Sequence, residues 1–161
     1  MKKILFVCTL ISAIGISSTF SQTLLGVRLG GGSGYNAEIS YIGPLASGNR
    51  LELDLGITGS DNYSGFQLTG IYQWAFDLSD GFGWYVGPGA SIGVWSYDDD
   101  NPGNNDGDDG FWLAVVGQIG FEYNFSIPIE LSLDYRPGIA IINGGGWYND
   151  FGLGIRWRFG G

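Results

Sequence analysis

From Thr23 almost to the end of the chain, apolar residues recur at every second position. Side chains of successive strand residues point to opposite sides, so a period of two gives a β-strand with two different faces. The apolar faces of eight such segments begin at Leu25, Ile39, Leu51, Phe66, Trp84, Phe111, Ile129 and Phe151. The pattern predicts an all-β fold, an eight-stranded antiparallel up-and-down barrel, since an even number of strands suits closure.

The alternate face of these segments is rich in glycine, small polar residues and charges of both signs. A soluble barrel would line its interior with the apolar face and carry solvated charged residues outside. Small and charged side chains instead fit a narrow interior, which this many large apolar side chains would overfill. The difference between the faces therefore predicts a transmembrane β-barrel with its apolar face toward lipid. A soluble secreted ligand-binding barrel is the alternative.

Ten charged residues of the second face form a predicted interior network: Arg28, Glu38, Glu52, Asp54, Glu122, Glu130, Asp134, Arg136, Arg156 and Arg158. Charges in so confined a space must pair or change their ionisation. An eight-stranded barrel is only wide enough inside for its own side chains, so a solute pore is disfavoured. The network predicts an interior closed by salt bridges, and a gated ion path through rearranged pairs stays open as the alternative.

The first segment has the features of a targeting sequence. Lys2 and Lys3 precede an apolar run over residues 4–16, and a polar stretch with small residues follows it. The run is shorter than the roughly 20 residues that a membrane-spanning helix needs. We predict a secretory signal peptide over residues 1–21, cut before Gln22, and a barrel domain over residues 22–161.

Composition narrows the chemistry further. The single cysteine, Cys8, lies in the predicted signal peptide, so residues 22–161 contain no thiol for disulfides, nucleophilic catalysis or thiolate metal sites. The chain has no histidine, the commonest general base near neutral pH, so we predict no enzymatic activity. Loss of Lys2 and Lys3 shifts the net charge from −9 to −11, which disfavours nucleic acid as a partner because phosphates need a basic face.

Connection lengths and aromatic positions both indicate two membrane interfaces. With a periplasmic N-terminus, the short connections near residues 45–49, 78–81 and 126–128 face the periplasm. Those near residues 32–35, 60–64, 98–110 and 143–149 face outside, and the third is the longest, as expected for outer-membrane barrels. One predicted aromatic belt contains Trp74, Phe76, Trp84, Tyr123, Phe125, Trp157 and Phe159. The second contains Tyr63, Phe66, Trp95, Tyr97, Phe111, Trp147 and Phe151.

Two proline triplets interrupt predicted strands. They are residues 87–89 (GPG) and 136–138 (RPG). Proline cannot donate a hydrogen bond to a strand ladder, so we expect a bulge or a local bend at each.

The segment at residues 127–137 (IPIELSLDYRP) and the closing segment at residues 151–159 (FGLGIRWRF) add a family resemblance. Together with the signal peptide and the alternating strands, they resemble the small outer-membrane β-barrel proteins of Gram-negative Bacteroidota, which share the shape of OmpX-like barrels. The resemblance covers the chain after the signal peptide. It implies a location in the bacterial outer membrane, among outer-membrane lipid and lipopolysaccharide, and the barrel-assembly machinery as a partner during biogenesis.

From the resemblance and the closed interior we expect a monomer with a structural or surface-interaction role. A porin-like barrel that translocates ions or small molecules is the alternative.

The longest predicted loop, residues 98–110, holds six of the 16 acidic residues. Its candidate calcium ligands are Asp98, Asp100, Asp106 and Asp109. Their spacing is close to that of calcium-binding repeats, but Pro102 replaces the third acid and no bidentate glutamate follows. Two interpretations stay open, a calcium site and a solvated loop of self-repelling charges. The loop also suits bridging to lipopolysaccharide through divalent cations.

Overall fold

The chain forms a closed barrel of eight antiparallel strands. The computed structural model describes residues 22–32, 37–46, 49–60, 63–97 and 110–160. The strands are β1 Thr23–Gly32, β2 Ala37–Ala46, β3 Asn49–Ser60, β4 Tyr63–Ser79, β5 Phe82–Tyr97, β6 Gly110–Asn124, β7 Ile129–Ile142 and β8 Trp147–Phe159. Each strand pairs with its neighbours in sequence, and β1 closes the barrel by pairing with β8. The predicted eight-stranded up-and-down architecture is confirmed.

The two faces of the strands are the reverse of those in a soluble protein. In β1, Leu25, Val27 and Leu29 are each close to half exposed, whereas Arg28 between them is 0% exposed. Large apolar side chains are exposed on all eight strands. Such a surface is stable when lipid covers it, because acyl chains then take the place of a protein core. The described residues contain no helix long and apolar enough to cross a membrane.

Large inward side chains lie directly across from glycines of the neighbouring strand. Three aromatic residues follow this rule, in the pairs Tyr85–Gly120, Trp112–Gly93 and Tyr148–Gly138. A Cβ atom at Gly120 would lie 2.4 Å from the Cζ atom of Tyr85, and one at Gly138 would lie 2.4 Å from Cζ of Tyr148. Carbon atoms in contact stay about 3.5 to 4.0 Å apart, so only glycine leaves room for these rings.

Aromatic contacts gather at the end of the barrel that holds the tight turns. Phe76 stacks on Trp84 with 4.6 Å between ring centroids, and Tyr123 packs edge-on against Phe125 at 4.7 Å. Trp95, predicted for the opposite belt, instead shares the inward face of β5, because alternation runs unbroken along that strand. A Cβ atom at Gly110 would lie 2.3 Å from the Cζ2 atom of the Trp95 indole, so glycine at this position leaves room for the ring.

The predicted alternatives at each proline triplet are a bulge and a local bend, and neither triplet carries a bulge. Pro88 pairs with Gly117, and Pro137 pairs with Asn149, without a change of register. Proline removes a donor from the ladder, but this loss does not require an extra residue in the strand. Register shifts occur elsewhere, between Pro44 and Ala46, between Asp77 and Ser79, and between Leu113 and Ala114.

The connections divide between the two ends as predicted. Residues 47–48, 80–81 and 125–128 join strands at the end where β1 starts and β8 finishes. Residues 33–36, 61–62, 98–109 and 143–146 join strands at the other end. In the two-residue turn between β4 and β5, Asp80 and Gly81 have φ angles of 52° and 85°, the combination that type I′ hairpins require. By the usual asymmetry of outer-membrane barrels, the first end faces the periplasm.

Candidate functional site: the charged interior

Strand pairing places opposite charges side by side inside the barrel. Arg28 of β1 pairs directly with Glu38 of β2, and Glu130 of β7 pairs with Arg156 of β8. Neighbouring strands hold such pairs close enough for their side chains to interact. The interior network is therefore built by register, and residues far apart in sequence meet across it.

Arg28 is the centre of the first cluster and is completely buried. Its Nη1 atom donates hydrogen bonds to Glu38 Oε2 at 2.9 Å and to Asp150 Oδ2 at 2.6 Å. Its Nη2 and Nε atoms both donate to Asp134, at 2.7 Å and 3.1 Å. This is the two-pronged geometry in which a guanidinium recognises a carboxylate most strongly. One arginine thus holds three carboxylates.

Arg136 and Arg156 extend the network across the interior. Arg136 Nη2 donates to Asp54 Oδ2 at 2.5 Å, and its Nη1 atom lies 3.4 Å from Glu38 Oε2. Arg156 Nη2 donates to Glu52 Oε1 at 2.7 Å, and its Nη1 atom lies 3.2 Å from Glu130 Oε1. Glu38 is shared with Arg28, and Glu52 also lies 3.6 Å from Arg136 Nη2. The shared carboxylates join the three arginines into one network.

Arg50 brings the network to the periplasmic end. Its guanidinium forms a salt bridge with Glu122, donates to Gln73 Oε1 at 2.6 Å and lies 4.0 Å from Glu130 Oε2. The guanidinium carbon also sits 4.9 Å from the centroid of the Tyr85 ring, within the range of a cation–π interaction. The ion pairs therefore follow one another from the outer half of the interior to its periplasmic mouth.

Glycines of β8 provide the space that the arginines occupy. A Cβ atom at Gly152 would lie 2.3 Å from Arg28 Cζ, and one at Gly154 would lie 2.7 Å from Arg156 Nη1 and 2.2 Å from Ser132 Oγ. The network and the glycines therefore depend on each other.

A family model for the outer membrane protein beta-barrel domain matches residues 7–159. The chain belongs to this outer-membrane β-barrel family. It is accordingly a protein of the bacterial outer membrane, and the lipid-facing apolar surface described above agrees with that location.

Three solved barrels share the fold at low sequence identity. Outer membrane protein H (OprH) of P. aeruginosa has a TM-score of 0.63 and 15% identity over 86% of this chain and 99% of that chain. Neisserial surface protein A (NspA) has a TM-score of 0.62 and 14% identity over 88% and 98%. The N-terminal β-barrel domain of Pseudomonas aeruginosa OprF has a TM-score of 0.62 and 13% identity over 86% and 98%. A comparison with curated protein sequences gives no significant match.

In this outer-membrane barrel, Arg158 is placed differently from the other predicted network residues. Its Nη2 atom donates to the carbonyl oxygens of Phe125 and Ile127, at 2.5 Å and 2.8 Å, and its Nη1 atom lies 3.3 Å from Asn124 Oδ1. These acceptors are uncharged, and among the described residues no carboxylate forms a salt bridge with it. Arg158 holds the β6–β7 turn, whereas the other nine predicted residues enter ion pairs.

Two members of the network were missing from the prediction. Arg50 and Asp150 are both in phase with predicted interior residues, since they stand two positions from Glu52 and Gly152. Strict alternation would have placed them inside. Both lie near strand ends, where the boundary between strand and connection is hardest to draw from sequence.

The four candidate calcium ligands, Asp98, Asp100, Asp106 and Asp109, lie outside the described residues. Within the described ranges, no group of three or more acidic, histidine or cysteine residues is arranged to hold a metal ion. The calcium site therefore stays a prediction from spacing alone.

Proposed function

We propose that the protein is a non-conducting barrel that anchors acidic connections at the outer surface of the membrane, in a structural or surface-interaction role. The observation that carries the proposal is the continuous network of buried ion pairs. Arg28, Arg136 and Arg156 are each at most 1% exposed, and together with their partners they come from five of the eight strands. Moving these charges apart would leave them buried and unpaired, which costs several kcal/mol per ion.

The same features support a role without catalysis. Residues 22–161 contain neither histidine nor cysteine, and the buried carboxylates Glu38, Glu52, Asp54 and Asp134 bind arginines. Each of these carboxylates is at most 2% exposed, so a substrate has no access to it.

The distribution of charge indicates the kind of partner at the surface. All five arginines of residues 22–161 belong to the interior or to its periplasmic mouth. The outer connections contain seven aspartates and no basic residue. Direct contact with an anionic glycan or lipid phosphate is therefore unfavourable, whereas cationic groups are attracted. We propose that the monomeric barrel meets lipopolysaccharide through divalent cations, after insertion by the barrel-assembly machinery.

Planar-bilayer recording of the purified, refolded protein tests the closed interior. Heat-modifiable gel mobility establishes that the barrel is folded before recording. We expect no stable conductance steps, and such steps from the unaltered protein would overturn the proposal in favour of a translocating barrel.

Calorimetry with calcium tests the surface connection. We expect measurable heat with the refolded barrel and its loss in the variant in which Asp98, Asp100 and Asp106 are replaced by alanine. Asp77→Asn and Asp80→Asn at the opposite end are the matched control and should leave the heat unchanged. Absence of heat from the unaltered protein ends the divalent-cation part of the proposal, while the closed-barrel part is judged by conductance.

A further inference from the structure

The periplasmic end of the barrel opens into a cavity of about 560 Å³. This volume lies within the range of small-molecule sites. Leu24, Pro44 and Phe82 contribute apolar wall, and Arg158 and Asp77 contribute charge. The salt bridge of Arg50 with Glu122 forms part of its lining. We call this space the periplasmic mouth.

One wall of the mouth carries a cation without an anionic partner in the described part of the chain. Arg158, near the end of β8, uses its Nη atoms to bind uncharged oxygens of residues 124–127. Its Nε atom is buried and has no hydrogen-bond partner there. A buried donor without an acceptor is unfavourable and is normally satisfied by a ligand group or by water. Arg50, in contrast, is neutralised by Glu122.

The opposite wall carries anions without a cationic partner. Asp77 lies near the end of β4 and Asp80 in the following turn, and both residues are exposed. In the described ranges neither forms a salt bridge. In the closed order of eight strands, β4 stands four strands from β8 in either direction. The uncompensated cation and the two uncompensated anions therefore lie on opposite walls of the cavity instead of pairing.

We propose that the mouth binds a short peptide with a free carboxylate at one end and a free amine at the other. The carboxylate would meet Arg158, the amine would meet Asp77 and Asp80, and the apolar wall would cover the residues between them. The chemistry suits the zwitterionic peptide stems found in the periplasm as well as free peptides. This site is separate from the outer connections and does not depend on the proposed function.

Calorimetric titration of the full-length refolded barrel with a zwitterionic tripeptide tests the inference. We expect saturable binding with a Kd of about 1 mM. Arg158→Gln should weaken binding about tenfold, since it removes a charge-assisted bond. Asp77→Asn should weaken it only about threefold, because this group is solvated. The titration is repeated with a cell-wall stem peptide and with an unrelated tripeptide of the same charges. Equal affinities for these two ligands would identify a general peptide site.

Matched ligands and a conservative variant separate binding from damage to the fold. Arg158→Lys keeps the charge but not the Nε donor, so its affinity should fall between those of the unaltered protein and of Arg158→Gln. The N-acetylated tripeptide should bind the unaltered barrel about threefold more weakly and be insensitive to Asp77→Asn. Glycine is too short to reach both walls and should bind least. Absence of saturation up to ~10 mM, or equal binding by all variants, would refute the inference.

Discussion

The two sides of the barrel interior are stabilised in different ways. On the side of β1, β2, β3, β7 and β8, Arg28, Arg136 and Arg156 bind carboxylates of neighbouring strands. Between β4 and β6, Ile71, Ala114 and Val116 form a small buried apolar cluster, against which Trp112, Ala140 and Tyr148 pack. Loss of one member of the charged side leaves other charges unpaired, whereas loss of one methyl group from the apolar side leaves only a void. The charged side is therefore the less tolerant of change.

The largest effect is expected at the glycine that makes room for the charged side. Gly152→Val would place side-chain atoms where Arg28 lies, since even a Cβ atom would be 2.3 Å from its Cζ atom. Arg28 would have to leave Asp134 and Asp150, and the barrel should fail to fold. The expected observation is loss of the heat-modifiable band after refolding into detergent or vesicles.

Gly31→Ala is the matched control for this substitution, because a Cβ atom at Gly31 meets nothing within 4 Å. It should fold with unchanged yield. Equal folding of the two variants would show that the charged side can repack.

The next largest effect is expected for Arg28→Met. The substitution leaves Asp134 and Asp150 buried without their cation and leaves Glu38 with Arg136 alone, and breaking a buried ion pair costs about 3–5 kcal/mol. Urea unfolding in vesicles, followed by tryptophan fluorescence, measures the change in the free energy of unfolding. A loss below about 1 kcal/mol would mean that the network behaves like a set of surface pairs.

A smaller effect is expected on the apolar side. Ile71 is 0% exposed, and Ile71→Val removes one methyl group, which typically costs about 0.5–1.5 kcal/mol in a packed core. The same urea titration measures it. If Ile71→Val lowered the free energy of unfolding as much as Arg28→Met, the charged and apolar sides of the interior would not differ in their tolerance of change.

The smallest effect is expected outside the barrel, at Tyr135. Its hydroxyl donates to Asn149 Oδ1 at 2.5 Å in an exposed position, and Tyr135→Phe should change the free energy of unfolding by less than about 0.5 kcal/mol. A larger loss would show that this external pair fixes the pairing of β7 with β8.

The strands and their two faces could be predicted because alternation is a local property of the sequence. The same alternation indicates that Ile71 and Tyr85 point inward, since they stand two positions from Gln73 and Gly87. The partners of each charge could not be predicted. Arg28 meets Asp134 across 106 residues of sequence, and such meetings depend on the tilt and stagger of the closed barrel. The absence of bulges at Pro88 and Pro137 could not be predicted either, because the loss of a backbone N–H donor does not determine the register of a strand.

The pairing of arginine with glycine across β1 and β8 also disfavours wrong registers where these two strands close the barrel. In the native register Arg28 stands opposite Gly154, and Gly26 stands opposite Arg156. A slip of one residue would turn every side chain of β8 to the wrong face. A slip of two residues in one direction would keep the faces but set Arg28 opposite Arg156, with two like charges in a space that holds one side chain. The seam between β1 and β8 therefore disfavours both errors.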